Sequence, residues 1–138
     1  MSPLLGLVTI GQTPRPDFEA AFARHAPGAR ILIEGALDGL GAAEIEGLAG
    51  PKYPLLVRLA GGGSAEVEMR HIAPRVETCA ERLAAQGAGL VVVLCAGGFP
   101  EVRCPAPVLL PGRLLPAVVS SLYPRRRLGV VTPIAAQA

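Results

Sequence analysis

Cys95 has the sequence context best suited to chemistry in this chain. It follows the apolar run Leu90–Leu94 and precedes Ala96, Gly97 and Gly98. Glycines let backbone N–H groups come close to a ligand or a thiolate, and amides that donate to a thiolate lower its pKa. Such a cysteine could serve as an acid/base group or a nucleophile. The alternative is a buried, inert thiol, which is common in protein cores.

A second group of polar residues lies in the stretch after the first apolar run. Its candidate binding residues are Thr9, Gly11, Gln12, Thr13 and Arg15. A helix N-terminus at this position attracts anions, and a guanidinium can grip a carboxylate or a phosphate. The alternative is a structural turn, in which Thr13 caps a helix that begins at Pro14. Both interpretations remain open from the sequence.

Most other polar groups favour structural roles. Cys79 falls on the apolar stripe of a predicted helix, and Cys104 lies in a predicted loop. Glu34 and Asp38 follow a short apolar run, where a lone carboxylate is more often solvated or capping than catalytic.

No metal or nucleotide cofactor is expected. His25 and His71 lack metal-ligand spacing to any cysteine. No G-x-G-x-x-G follows the first apolar run, and Gly61–Ser64 lacks the Lys-Ser/Thr of a phosphate-binding loop.

Apolar runs that alternate with helical segments predict the fold. Leu4–Ile10, Ile31–Ile33 and Leu90–Leu94 are continuous apolar runs, which is typical of parallel strands buried on both faces. The chain is therefore predicted to be an α/β protein with a mostly parallel sheet flanked by helices. Ligands bind beyond the carboxyl ends of such strands. This rule selects three segments: Thr9–Arg15, Glu34–Asp38 and Cys95–Pro100.

Further elements complete the predicted architecture. Alternating apolar and charged residues in Leu55–Leu59 and Val67–Met69 flank a glycine turn and predict a β-hairpin insertion. Leu128–Thr132 predicts a last strand. Helical faces are predicted for Phe18, Ala21, Phe22 and His25, for residues 41–48, for Ile72, Val76, Cys79 or Ala80 and Leu83, and for residues 114–123.

Composition and charge exclude several classes of protein. The chain has 138 residues, of which 51% are hydrophobic, and a formal charge of +2, so it suits one folded domain. The longest charge-free stretch, Leu83–Pro100, contains Gln86 and four glycines, unlike a membrane-spanning helix. The N-terminus has no basic signal-peptide region, and Arg125–Arg127 is an isolated basic run. We therefore expect a cytoplasmic protein that binds neither membrane nor nucleic acid.

Four collinear motifs resemble those of the AroM family. They are Thr9–Asp17, Glu34–Leu40, the stretch Leu94–Pro100 around Cys95, and Leu128–Pro133 with Gln137. The family has no settled activity, and it is similar to the aspartate/glutamate/hydantoin racemase superfamily. There, two flavodoxin-like α/β lobes enclose a small carboxylate-bearing ligand without a cofactor, and one cysteine from each lobe faces the α-carbon.

This resemblance assigns roles to particular residues. Cys95 matches the first-lobe cysteine, and Gly11, Gln12, Thr13 and Arg15 match the first loop. Ala96 stands where the family usually has threonine, which puts one carboxylate contact in doubt.

The resemblance also implies a domain boundary. Residues 1–124 would form the first lobe, and residues 125–138 would begin a second. Racemisation by two bases needs acids on opposite faces of one carbon, and the resemblance assigns only Cys95 to such a role in this chain. We therefore expect no amino-acid racemisation by this chain alone.

Three functions are consistent with the sequence. The first is a racemase- or isomerase-like lobe that uses Cys95 on a small carboxylate. The second is a non-catalytic protein that binds small anions. The third is an inactive truncated lobe, whose exposed sheet edge would favour homo-oligomers.

Overall fold

A computed structural model describes residues 2–135 of the chain. The strands are β1 Leu4–Thr9, β2 Arg30–Gly35, β3 Pro54–Arg58, β4 Ser64–Glu68, β5 Leu90–Leu94 and β6 Val108–Leu109. The helices are α1 Pro16–His25, α2 Ala42–Glu46, α3 Met69–Ala85 and α4 Pro111–Leu122. This order of elements confirms the predicted α/β class. Gln137, part of the fourth motif, lies outside the described residues.

The main sheet has four parallel strands in the order β2-β1-β5-β6. Leu7 of β1 lies opposite Ile33 of β2 and Val92 of β5. In the same register Thr9, Gly35 and Leu94 are neighbours at the ends of their strands. The carboxyl edge of the sheet therefore holds the starts of all three segments that the sequence selects.

Helix α3 packs against the sheet through the stripe predicted from its spacing. Its buried residues are Ile72, Val76, Cys79, Ala80 and Leu83. The helix approaches β1 closely, since a Cβ added at Gly6 would lie 3.1 Å from the Leu83 side chain. The side chains of this stripe join Val8, Val91 and Val93 in one hydrophobic core.

Strands β3 and β4 form the predicted hairpin as a separate antiparallel sheet. Leu55, Val57 and Val67 are buried and extend the core. The hairpin also touches the loop after β1, because the Gln12 N–H donates to the Arg58 carbonyl at 2.9 Å. A Cβ at Gly11 would overlap the Arg58 backbone, so only glycine permits this approach.

The start of α1 differs from the prediction. The helix begins at Pro16 with Arg15 at the N-cap, and Thr13 does not cap it. The cause is a distant partner, because the Thr13 N–H and hydroxyl both donate to the Asp38 carboxylate. On the predicted face, Phe18 and Phe22 are half-buried, whereas Ala21 and His25 are exposed.

The predicted strand over Leu128–Thr132 is wrong. The segment is irregular and pairs with no strand in the described part of the chain. Val130 is 83% exposed and Val131 98%. An apolar run becomes a strand only where a neighbouring strand can share its hydrogen bonds. The domain boundary after residue 124 stays a prediction.

Helix α4 begins earlier than predicted, at Pro111. It has no buried residue, and an apolar stripe along it is roughly half exposed. The stripe consists of Leu114, Leu115, Val118 and Leu122.

Candidate functional site

Cys95 lies one residue beyond the end of β5, where the chain leaves the sheet. Its N–H donates to the Val93 carbonyl at 2.8 Å, and its side chain is half-buried. Burial raises the pKa of the Cys95 thiol, and a hydrogen bond from the Gly97 N–H offsets part of that rise. The prediction of a lowered pKa is therefore wrong, because one amide does not compensate for desolvation. At neutral pH the group is a thiol.

A cavity of about 470 Å³ lies beside this cysteine. Ala96–Gly98 form one wall, and the chain from Tyr53 to Leu55 with Met69 forms another. The segment Val130–Pro133 closes a third side. Of the predicted site residues, Gly97 and Gly98 line this cavity, and Cys95 immediately precedes them.

The first turn of α4 positions the loop that follows Cys95. A Cβ at Gly112 would lie 2.6 Å from the Gly97 carbonyl carbon and 3.0 Å from the Ala96 oxygen. Gly112 is thus needed for the observed position of the loop. Sequence reasoning missed this residue, because the contact joins segments that are distant in sequence.

Each nitrogen of the Arg15 guanidinium donates one hydrogen bond within the protein. Its Nε and Nη2 atoms donate to the Asp17 carboxylate at 2.9 and 2.7 Å, and Nη1 donates to the Thr9 hydroxyl at 3.2 Å. Its guanidinium carbon also lies 4.1 Å from the centre of the Phe18 ring. The hydrogen bond from Arg15 lowers the pKa of Asp17 to about 2. A ligand carboxylate would have to displace Asp17 to bind Arg15.

Gln12 joins three segments of the chain. Its Nε2 donates to the carbonyls of Leu37 and Leu40, each at 3.1 Å. Its Oε1 accepts from the Ala60 N–H, also at 3.1 Å. These bonds hold the β1–α1 loop between the β2–α2 loop and the hairpin.

Asp38 ties Thr13 to the same region. The Asp38 carboxylate accepts from the Thr13 N–H at 2.8 Å, and from the Thr13 hydroxyl and the Gly35 N–H at 2.9 Å each. The carboxylate therefore fixes the β1–α1 loop against the end of β2.

The predicted site residues thus separate into two groups. Cys95, Gly97 and Gly98 adjoin the large cavity, whereas the first-loop residues do not line it. A second recess of about 390 Å³ lies by Arg15 and Arg58. Of the predicted first-loop residues, Arg15 lines this recess, and Thr9, Gly11, Gln12 and Thr13 do not.

The remaining cysteines have structural surroundings. Cys79 is 2% exposed, and burial raises the pKa of its thiol to about 11. The Cys104 thiol donates to the Ala80 carbonyl at 3.4 Å.

Two further carboxylates form ion pairs with arginines of α3. Glu34 accepts from Arg82 Nε at 2.7 Å. Glu68, which sequence reasoning missed, is 2% exposed and accepts from Arg70 Nε at 3.0 Å. Glu68 occupies a polar position in the alternation of the hairpin, next to the apolar Val67, and this position gives no sequence signal of burial.

Residues 2–135 contain no cluster of three or more His, Cys, Asp or Glu side chains that could hold a metal ion. Within the same span, no helix combines the length and apolar character needed to cross a bilayer.

Fold and site together define an α/β protein with a half-buried thiol and a cavity at the carboxyl edge of a parallel sheet. The family model described as AroM protein matches residues 5–138. The chain belongs to the AroM family, which confirms that part of the resemblance. No curated protein and no solved structure matches it.

Proposed function

We propose that this chain binds a small carboxylate-bearing molecule in the cavity beside Cys95, and that the Cys95 thiol acts on it as a proton donor. The observation that carries the proposal is the juxtaposition of thiol and cavity at the carboxyl end of β5. The three residues after Cys95 form a wall of a cavity of about 470 Å³, which is a size suited to a small molecule. This role is racemase- or isomerase-like and needs no cofactor.

The protonation state of Cys95 supports the role of acid. Burial raises its thiol pKa, so the sulfur carries a proton at neutral pH before the ligand binds. After the proton is transferred, the Gly97 N–H would stabilise the thiolate. Cys95 immediately precedes the lining residues Ala96–Gly98, whereas Cys79 is buried in the core and the Cys104 thiol donates to the Ala80 carbonyl. Among the described residues, Cys95 is therefore the thiol placed next to the cavity.

The alternative of non-catalytic anion binding through the first loop has less support. Arg15, its only cationic side chain, already holds Asp17 in a bidentate pair. The proposal therefore places the ligand against Ala96–Gly98 rather than against Thr9–Arg15.

Alkylation with a charged and a neutral reagent tests ligand binding. Iodoacetate carries a carboxylate and iodoacetamide does not, while both alkylate a thiolate with loss of iodide. At each cysteine we compare the rate of alkylation by iodoacetate with the rate by iodoacetamide. This ratio should be higher at Cys95 than at Cys104, and a carboxylate binding energy of 1.4 kcal/mol would raise it by about tenfold. The iodoacetate rate at Cys95 should also saturate with reagent concentration. Mass spectrometry of proteolytic peptides gives the rate at each cysteine.

Cys104 serves as the internal control because it is also half-buried and lies outside the cavity lining. Equal rate ratios at the two cysteines would contradict carboxylate binding beside Cys95. The role of acid has its own check, since the iodoacetamide rate at Cys95 should rise with a midpoint above pH 9.0. A midpoint below that value would contradict a resting thiol.

A further inference from the structure

The described residues that line the cavity beside Cys95 have uncharged side chains. None of the described residues that form its walls carries an ionisable acidic or basic side chain of the Asp, Glu, Lys, Arg or His type. The side chains that line it are mainly apolar: Leu55 is buried and Met69 half-buried, while Val130 and Val131 form an exposed rim. The polar groups are the backbone of Ala96–Gly98 and the hydroxyl of Tyr53, because the Thr132 hydroxyl already donates to the Ile134 carbonyl at 3.2 Å.

This lining limits the number of anionic groups that a ligand can bring. Backbone amides and a hydroxyl can satisfy one carboxylate by charge-assisted hydrogen bonds. A second carboxylate in the same cavity would lose water without gaining a cation. Arg15 and Arg58 line the other recess, and Arg70, which follows the lining residue Met69, pairs with Glu68.

The same lining favours an apolar group. Each methylene that moves from water to an apolar wall tightens binding by about fourfold. We infer that the cavity takes a monocarboxylate that carries an apolar group and discriminates against dicarboxylates and phosphates. This inference rests on the proposed function, because it names the ligand class of the same site.

Protection of Cys95 from iodoacetamide tests this specificity. Butyrate and succinate have the same number of carbon atoms and differ by the second carboxylate. We expect butyrate to halve the labelling rate of Cys95 at a lower concentration than succinate, about tenfold lower for each 1.4 kcal/mol that the unpaired second carboxylate costs. Labelling of Cys104 should not respond to either acid.

A charge placed on the cavity rim provides a second measurement. Val131 lines the cavity and is 98% exposed, so Val131→Lys should not disturb folding. The new ammonium group can pair with a second carboxylate, so succinate should protect Cys95 several-fold better in this variant. Leu122→Lys, on the exposed stripe of α4, is the matched control and should leave both acids unchanged.

The outcomes separate this inference from the proposed function. If iodoacetate prefers Cys95 but succinate protects it as well as butyrate, the ligand class is wrong and the carboxylate site stands. If Val131→Lys leaves the protection by succinate unchanged, the lack of a cationic side chain in the cavity does not explain why dicarboxylates bind more weakly, and the inference is wrong. If iodoacetate has no preference and neither acid protects Cys95, the proposed function fails first.

Discussion

Replacing Asp38 should destabilise the protein through the loop that it holds. Its carboxylate accepts three hydrogen bonds, from the Thr13 N–H at 2.8 Å and from the Thr13 hydroxyl and Gly35 N–H at 2.9 Å. Hydrogen bonds to a charged group contribute about 1.5–3 kcal/mol each, and solvent at this exposed residue reduces that to about 1 kcal/mol. Asp38→Ala should therefore lower the free energy of unfolding by about 3 kcal/mol.

Asp38→Asn gives a sharper version of the same test. An amide offers one acceptor oxygen where the carboxylate offers two, so its NH₂ group must face either the Thr13 N–H or the Gly35 N–H. One backbone donor then loses its partner, and the expected cost is about 1–2 kcal/mol. Asp38→Ala should therefore lower the free energy of unfolding more than Asp38→Asn does.

Urea unfolding followed by circular dichroism measures these differences. The midpoint should fall while the slope stays constant, because the surface exposed on unfolding does not change. Thr13→Val removes one of the three donors and Asp38→Ala removes their acceptor, so this double variant should show a coupling energy of about 1 kcal/mol. Glu46→Gln is the control, since Glu46 is exposed on α2 and its side chain makes no hydrogen bond or ion pair among residues 2–135. An Asp38→Ala midpoint equal to that of wild type would refute the argument.

Two other predictions concern packing and pH. Gly11→Ala should lower the free energy of unfolding by about 2 kcal/mol, because the new methyl overlaps the Arg58 backbone; Gly61→Ala, where a Cβ meets open space, should not. Equal urea midpoints for the two variants would contradict the close approach. Burial raises the Cys79 pKa from 9.0 to about 11, so the folded state holds this proton more tightly than the unfolded state. The contribution of this pKa shift to the free energy of unfolding is therefore fully present below pH 9.0 and falls as pH rises towards about 11. Cys79→Ala should reduce that fall, which urea unfolding at several pH values measures.

The parts of the fold that local patterns specify were predictable from the sequence. Leu90–Leu94 is a strand because five apolar residues in succession suit a strand buried on both faces. The α3 stripe is buried because helical spacing places its apolar residues on one side. The hairpin forms where alternation flanks a glycine turn.

The features that depend on distant partners were not predictable. Thr13 has the right chemistry for a cap, but Asp38, 25 positions away, binds both of its donors. Leu128–Thr132 has the composition of a strand, but residues 2–135 offer no strand that pairs with it. The pKa of Cys95 depends on how deeply the fold buries it, which its flanking glycines do not reveal. The assignment of Cys95 as a catalytic group stays a prediction.

The bonds of Gln12 have a consequence for the way in which the protein opens. The hairpin cannot move away from the core without breaking the Gln12 contacts to Arg58 and Ala60. The same side chain holds Leu37 and Leu40, so the β1–α1 and β2–α2 loops lose support in the same event. These three segments should behave as one cooperative unit in hydrogen exchange, with a common opening free energy. Since Tyr53–Leu55 forms a cavity wall, a molecule bound there would slow amide exchange as far away as the β2–α2 loop.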